Sequence, residues 1–159
     1  MATSERTTTT LHHLVDKRFV GITPDDMRVI IDGEAAHKTG MNPMQLVLNA
    51  LAGCAAFDVV EMIAKRRLEV RHYRVEMSGE RRDTVPRSFV RIHSRHVLDV
   101  PGLDRAMAER FVELATTKYC SVANSLTAEQ TFEVVLEGAA TAADDGVTPG
   151  DEPAAVSRH

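Results

Sequence analysis

The apolar positions along the chain change period several times, and each change marks an element. Arg18-Phe19-Val20 and Arg28-Val29-Ile30-Ile31 flank the turn formers Thr23-Pro24-Asp25-Asp26, and Asp32-Gly33 closes the second run. That arrangement predicts an N-terminal β-hairpin. From Met44 to Ala64 the chain is apolar nearly all round, interrupted by Gln45, Asn49, Asp58 and Glu61. Asn42 is a good N-cap, Pro43 stands where a missing N–H costs nothing, and Gln45 occupies the capping-box position. The helix so started is expected to run to about Arg67, with Lys65-Arg66-Arg67 at the negative end of its dipole. At 1.5 Å per residue it spans roughly 37 Å. A helix this apolar is a central element that other layers cover.

Alternation returns at Tyr73, Val75 and Met77 against Arg74 and Glu76. It resumes beyond the loop Gly79–Pro86 from Val90 and Ile92 to Leu98, which predicts a second hairpin. After Gly102, the positions Leu103, Met107, Phe111 and Leu114 fall at spacings of 4, 4 and 3, an amphipathic helix ending near Thr116. Residues Cys120–Leu126 read as a short helix, and Phe132, Val134 and Leu136 alternate with Glu133 and Glu137 in a last strand. Two strands, a helix, two strands, two helices and a strand make an α+β domain with antiparallel strands. Residues 1–10 are Thr-rich without periodicity, and 138–159 are small, acidic and turn-forming. Both are expected to be disordered tails, the second acidic, around a domain at 11–137.

Composition narrows the function classes. At 159 residues, 43% apolar and 26% charged, the chain is an ordinary globular domain. A net charge of −4 argues against a dedicated nucleic-acid binder, and the absence of Trp leaves few stacking platforms. The N-terminus has no apolar core after its positive charge, so it is not read as a secretory signal. Charges in mid-span cost about 2.5–3.5 kcal/mol each in a bilayer, so the long helix reads as a core helix of a cytoplasmic protein without a membrane partner. No metal site is expected, since Cys-x-x-Cys is absent and His93 and His96 face opposite sides of a strand. Those histidines, like His12-His13, are expected at the surface. Arg87, Arg91 and Arg95 share a strand face with His93 and read as a solvated outer face. No P-loop, Gly-x-Gly-x-x-Gly or Gly-x-Ser-x-Gly occurs, so no nucleotide or other cofactor is called for.

The two cysteines carry the candidate chemistry. Cys54 lies within Ala52-Gly53-Cys54-Ala55-Ala56, whose small side chains let a reactant or another element approach the sulfur. Cys120 follows Lys118-Tyr119 at the start of the short helix, where a cation and the helix end both favour thiolate. A free Cys titrates near pH 8.5; bringing it to about 6 takes roughly 3.4 kcal/mol, within reach of one close Arg plus helix-end dipoles. Against this stands the ordinary behaviour of free Cys as a small buried hydrophobe.

Met41-Asn-Pro-Met-Gln-Leu-Val-Leu-Asn-Ala-Leu-Ala-Gly-Cys54 resembles the Asn-Pro…Ala-Gly-Cys helix of the OsmC/Ohr family, the osmotically inducible and organic-hydroperoxide-resistance proteins. Lys118-Tyr-Cys-Ser-Val-Ala-Asn-Ser-Leu126 resembles the second cysteine motif of that family, and Arg18-Phe-Val-Gly and Gly79-Glu-Arg fit the same pattern. The resemblance covers about residues 15–137. It implies an intertwined homodimer with packed central helices and an active site at the subunit interface. It further implies a stress-response antioxidant peroxidase of the oxidoreductase class, without cofactor. Cys54 would attack an organic hydroperoxide and Cys120 would resolve the sulfenic acid as a disulfide. Arg18 would activate Cys54, and a dihydrolipoamide-like dithiol would regenerate both thiols. One position departs: where the family's hydroperoxide reductases carry a Glu that holds the arginine, ten residues before the first Cys, this chain has Met44, followed by Gln45. That departure resembles the OsmC-like subfamily. It leaves open an alternative, a dimer binding a small apolar or acyl ligand, or acting as a redox sensor.

Overall fold

The computed structural model describes residues 6–138, so most of the tails expected at 1–10 and 138–159 lies outside the described residues, while Thr10 of the first already belongs to a strand. Two three-stranded sheets and a long helix are the main elements. The first sheet is β1 (Thr10–Val15), β2 (Arg18–Ile22) and β3 (Arg28–Asp32), in that order and antiparallel throughout. The hairpin of β2 and β3 is the one the sequence predicts. Strand β1 is an addition: every side chain along it is exposed, so it carries no burial alternation to read.

Helix α1 (Pro43–Lys65) begins as its cap residues dictate. The Gln45 N–H donates to Asn42 Oδ1 and the Asn42 N–H donates to Gln45 Oε1, each at 3.0 Å. It ends two residues before the expected Arg67, whose φ of 58° is left-handed and cannot continue a helix. Within the chain only the stripe Leu51, Ala55, Val59 and Ile63 is buried. These residues recur every four positions and so share one face. Ala55, Val59 and Ile63 join Leu98, Val112 and Val134 in the main core. The remaining apolar surface of α1 is uncovered, and Phe57 is 79% exposed.

The second sheet orders β4 (His72–Arg81), β5 (Phe89–Asp99) and β6 (Glu129–Leu136). Strands β4 and β5 form the expected antiparallel hairpin, but β6 runs parallel to β5. The connection through α2 (Arg105–Leu114), a π-helical turn (Ala115–Tyr119) and α3 (Ser121–Asn124) brings the chain back to the end of the sheet where β5 began. A crossover of this kind makes a parallel pair where a tight turn would make an antiparallel one. Arg74, Glu76, Arg91, His93, Arg95 and Glu133 alternate outward from the sheet and neutralise one another. Arg91 reaches Glu80 at 2.9 Å and Glu129 at 3.3 Å, and Arg95 reaches Glu76 at 2.9 Å. Arg87 is not part of this row; it precedes β5 in the loop.

His96 is buried, not at the surface as expected, because it takes an inward position of β5 with Ile92, Ser94 and Leu98. Its Nδ1 lies 2.7 Å from the Tyr73 hydroxyl and its Nε2 3.2 Å from Ser94 Oγ, which donates to the Thr131 carbonyl at 3.4 Å. If the Tyr73 hydroxyl donates to Nδ1 and Nε2–H donates to Ser94, the chain of hydrogen bonds is satisfied with a neutral ring. Burial holds the imidazole down at about 4 and pushes the Tyr73 phenol up. The unfolded chain takes up a proton near pH 6.5 while the folded one does not, so stability falls as pH drops from about 6.5 towards 4. Urea midpoints measured between about pH 7 and 5 should show this fall, and His96→Gln should lower the whole curve while flattening it across that window.

Candidate active site: a pair of thiols

Cys54 sits midway along α1, three residues after Leu51 and one before Ala55. It is half-buried, and a Cβ built on the adjacent Gly53 meets nothing within 4 Å, so this helix face is open within one chain. Cys120 comes from the other side of the core. Its N–H donates to the Ala115 carbonyl five residues back at 3.0 Å, closing the π-helical turn. Such a turn shifts the helix register by one residue, a device frequent at functional sites. With φ −65° and ψ 107°, Cys120 leaves helical geometry and becomes the N-cap of α3, its Sγ accepting from the Ala123 N–H at 3.2 Å. The Asn124 side chain donates to the Cys120 carbonyl at 2.9 Å, and Gln130 Nε2 donates to the Ala123 carbonyl at 3.0 Å, tying α3 to β6.

The two cysteines share one cluster. Cys120 is fully buried with Leu51, Ile92 and Ala123, and Cys54 packs on the same cluster. Burial pushes the Cys120 thiol up to about 11, the neighbouring Cys54 sulfur adds to the rise, and the Ala123 N–H only partly offsets it. Cys120 is therefore a neutral thiol at physiological pH. The helix-start and cation argument for a thiolate there is overridden by desolvation.

Arg18 is not brought to either sulfur by hydrogen bonding within the chain. Its Nε donates to Asp32 Oδ2 at 3.1 Å and its Nη2 to the His37 carbonyl at 3.0 Å. Asp32 is buried and also accepts from the Thr39 N–H at 2.8 Å, the Glu34 N–H at 2.8 Å and Thr39 Oγ1 at 3.0 Å. Led by the Thr39 and Glu34 amides, these donors hold its carboxyl well below the usual carboxylate range. The sequence reading named Arg18 and missed Asp32, which it took only for the end of a strand. Yet the register of the predicted hairpin makes Asp32 the cross-strand partner of Arg18. Gln45 has its side-chain oxygen engaged at the helix cap, and Met44 lines an apolar groove with Val47, Phe89 and Leu126. The carboxylate on Arg18 thus comes from β3, not from the start of α1.

Two hollows lie near the thiols. One of about 80 Å³ lies between α1, the π-helical turn and the inner face of the second sheet, lined by Leu51, Ala55, Ile92, Ser94, His96 and Phe132 among others; neither sulfur lines it. The groove at Met44, about 410 Å³, shares Phe89, Leu126 and Ala128 with the cluster that holds both cysteines.

A buried thiol beside a more open one, on an α+β frame with a long central helix, defines a class of redox-capable paired-cysteine proteins. The chain belongs to the OsmC-like protein family, whose model matches residues 32–135. It is 36% identical over 105 residues to Protein YhfA of Escherichia coli (strain K12), covering 66% of this chain and 78% of that protein. An OsmC like protein from Mycoplasma pneumoniae superposes with a TM-score of 0.73 at 15% identity, over 84% of this chain and 99% of that one. The organic hydroperoxide resistance protein OsmC from Legionella pneumophila superposes with a TM-score of 0.60 at 14% identity, over 84% and 98%. At such identities these two structures show the shared fold.

Because Asp32 is ionised far below its unfolded value, its contribution to stability is present above about pH 4 and is lost as pH falls further. Protection of the Glu34 and Thr39 amides, corrected for their intrinsic exchange rate, should therefore fall on acidification below about pH 4. In Asp32→Asn the same two amides should already exchange fast at neutral pH, while the core of the second sheet keeps its protection.

Proposed function

We propose that the protein is a thiol-dependent peroxidase that reduces organic hydroperoxides to alcohols. The observation that carries this reading is that a buried, neutral Cys120 and a more accessible Cys54 share one apolar cluster. Cys54 as thiolate attacks the outer oxygen of the hydroperoxide; the O–O bond breaks, the alkoxide takes a proton and leaves as an alcohol, and Cys54 becomes a sulfenic acid. Cys120 then attacks the Cys54 sulfur, its thiol proton leaves with the hydroxyl as water, and a disulfide forms. A dithiol of the dihydrolipoamide type reduces the disulfide by exchange and is itself oxidised to a cyclic disulfide. A thiol held neutral beside the reacting sulfur keeps the proton that this condensation releases.

Arg18 is the proposed activating cation, and Asp32 its positioning carboxylate in place of the missing Glu. The N-terminal sheet that carries them makes few contacts with the body of its own chain among the described residues. It also exposes Leu11, Val29 and Ile30, as α1 exposes Phe57 and Val60. Those apolar surfaces support a homodimer in which Arg18 meets the thiols across the interface.

Intact mass of the reduced protein after one equivalent of cumene hydroperoxide should fall by two hydrogens. Cys54→Ser should lose all turnover, and Cys120→Ser should accumulate a sulfenic acid that dimedone captures. Arg18→Ala should slow peroxide consumption by about a hundredfold or more, the scale of removing one preorganised charged donor. Undiminished turnover by the Cys54→Ser protein would overturn the reading.

A further inference from the structure

The groove at the start of α1 has a charge pattern that the thiol chemistry leaves unexplained. Its floor is apolar, built by Met44, Val47, Phe89 and Leu126, and Arg81, the last residue of β4, and Arg87, in the loop that follows, line it. Both guanidinium groups are held through Nε on backbone carbonyls: Arg81 donates to the Arg87 carbonyl at 2.6 Å, and Arg87 to the Arg82 carbonyl at 3.4 Å. Arg18, Arg74, Arg91 and Arg95 all pair with carboxylates, whereas Arg81 and Arg87 form no ion pair among the described residues. Their terminal nitrogens are left for a planar, bidentate acceptor. No acidic residue lines the groove.

A third feature points the same way. Ser88 also lines the groove, and among the described residues its hydroxyl oxygen is the buried side-chain polar atom without a hydrogen-bond partner. Buried polar atoms are nearly always satisfied, so an orphan beside two unpaired cations calls for an explanation. Phe89 reaches the floor because the ring lies over Gly79, where a Cβ would clash with it. Phe89, Leu126 and Ala128 continue into the cluster that holds Cys54 and Cys120.

We propose that this groove binds a single-chain acyl carboxylate, with the headgroup held by Arg81 and Arg87 and the chain lying over Met44, Phe89 and Leu126 towards the thiols. Two cations without counter-ions repel each other, and an anion between them relieves that repulsion. An apolar floor of this extent selects a ligand with a hydrocarbon tail over a free inorganic anion. The site stands on the groove alone and does not depend on the peroxidase reading.

The test is calorimetric titration of the full-length protein with decanoate, 1-decanol and decyl phosphate, each below its micellar range. It is repeated on the variant carrying Arg81→Gln and Arg87→Gln, and on Arg87→Gln alone, with circular dichroism to verify the fold. Decanoate should bind once per chain and weaken by about 10- to 100-fold in the double variant, the scale of losing hydrogen bonds to a charged group. The alcohol should bind more weakly than decanoate and equally to both proteins. Bound decanoate should also slow iodoacetamide labelling of Cys54 in the parent but not, at the same concentration, in the double variant. Equal decanoate affinity in parent and double variant, or alcohol binding as tight as decanoate, would overturn the carboxylate site. Decyl phosphate binding far more tightly than decanoate would reassign the headgroup and overturn the choice of carboxylate.

Discussion

The packing of one face of α1 on the second sheet sets the position of nearly everything else. Leu51, Ala55, Val59 and Ile63 fix the rotation of the helix about its own axis, because a turn of one residue would carry all four out of the core. Burying such side chains is worth roughly 1.5–3 kcal/mol for each of the larger ones. Cys54 stands at the edge of that stripe, so the same packing fixes its depth and direction. The π-helical turn then delivers Cys120 from the opposite side into contact with Leu51, the first residue of the stripe. The gathering of both cysteines into one cluster is thus a consequence of core packing, without a dedicated scaffold of its own.

That dependence separates what was legible in the sequence from what was not. The start of α1 was readable in full, since Asn42, Pro43 and Gln45 act on the backbone within one turn. Both hairpins were readable because turn residues and alternation are also local. The parallel pairing of β6 was not: alternation gives the faces of a strand and says nothing about its neighbour or direction. Strand β1 escaped because neither of its faces is buried within the chain. His96 is instructive, since its inward position followed from the very alternation that placed Ile92 and Leu98 in the core. Its partners Tyr73, across on β4, and Ser94 make that burial tolerable, and the pairing with Tyr73 had to be seen in three dimensions. The proximity of Cys54 and Cys120 was likewise beyond local pattern, and only the resemblance of both motifs to one family joined them.

The charged residues divide by the same logic. On the outer face of the second sheet, cross-strand neighbours alternate in sign, so each Arg meets a Glu and the row is nearly neutral. Exposed pairs of this kind are worth little individually, about 0–1 kcal/mol. Their effect is to leave that face without a field of its own. Arg81, the last residue of β4, and Arg87, in the loop, lie beyond the end of the row; the register shifts between Glu80 and Arg81, and the strand partner of Arg81 is Phe89, which supplies no carboxylate. Arg81 and Arg87 thus bring positive charge without an ion pair to the end of the sheet where the apolar floor leads to the cysteine cluster.

Asp32 links the remaining parts. Its carboxylate gathers Arg18, Glu34 and Thr39, while its own N–H donates to the Met41 carbonyl, one residue before the cap of α1. A single buried acid therefore orients the arginine and ties the N-terminal sheet to the start of the helix that bears Cys54. The rest of that sheet has little to pack against in its own chain, and α1 presents Phe57 and Val60 with nothing over them. The surfaces that require a cover belong to the same two elements that carry the proposed cation and the proposed nucleophile. If one copy of the chain covers the other there, association and activation of the thiol are the same event, and an isolated chain would hold both groups without bringing them together.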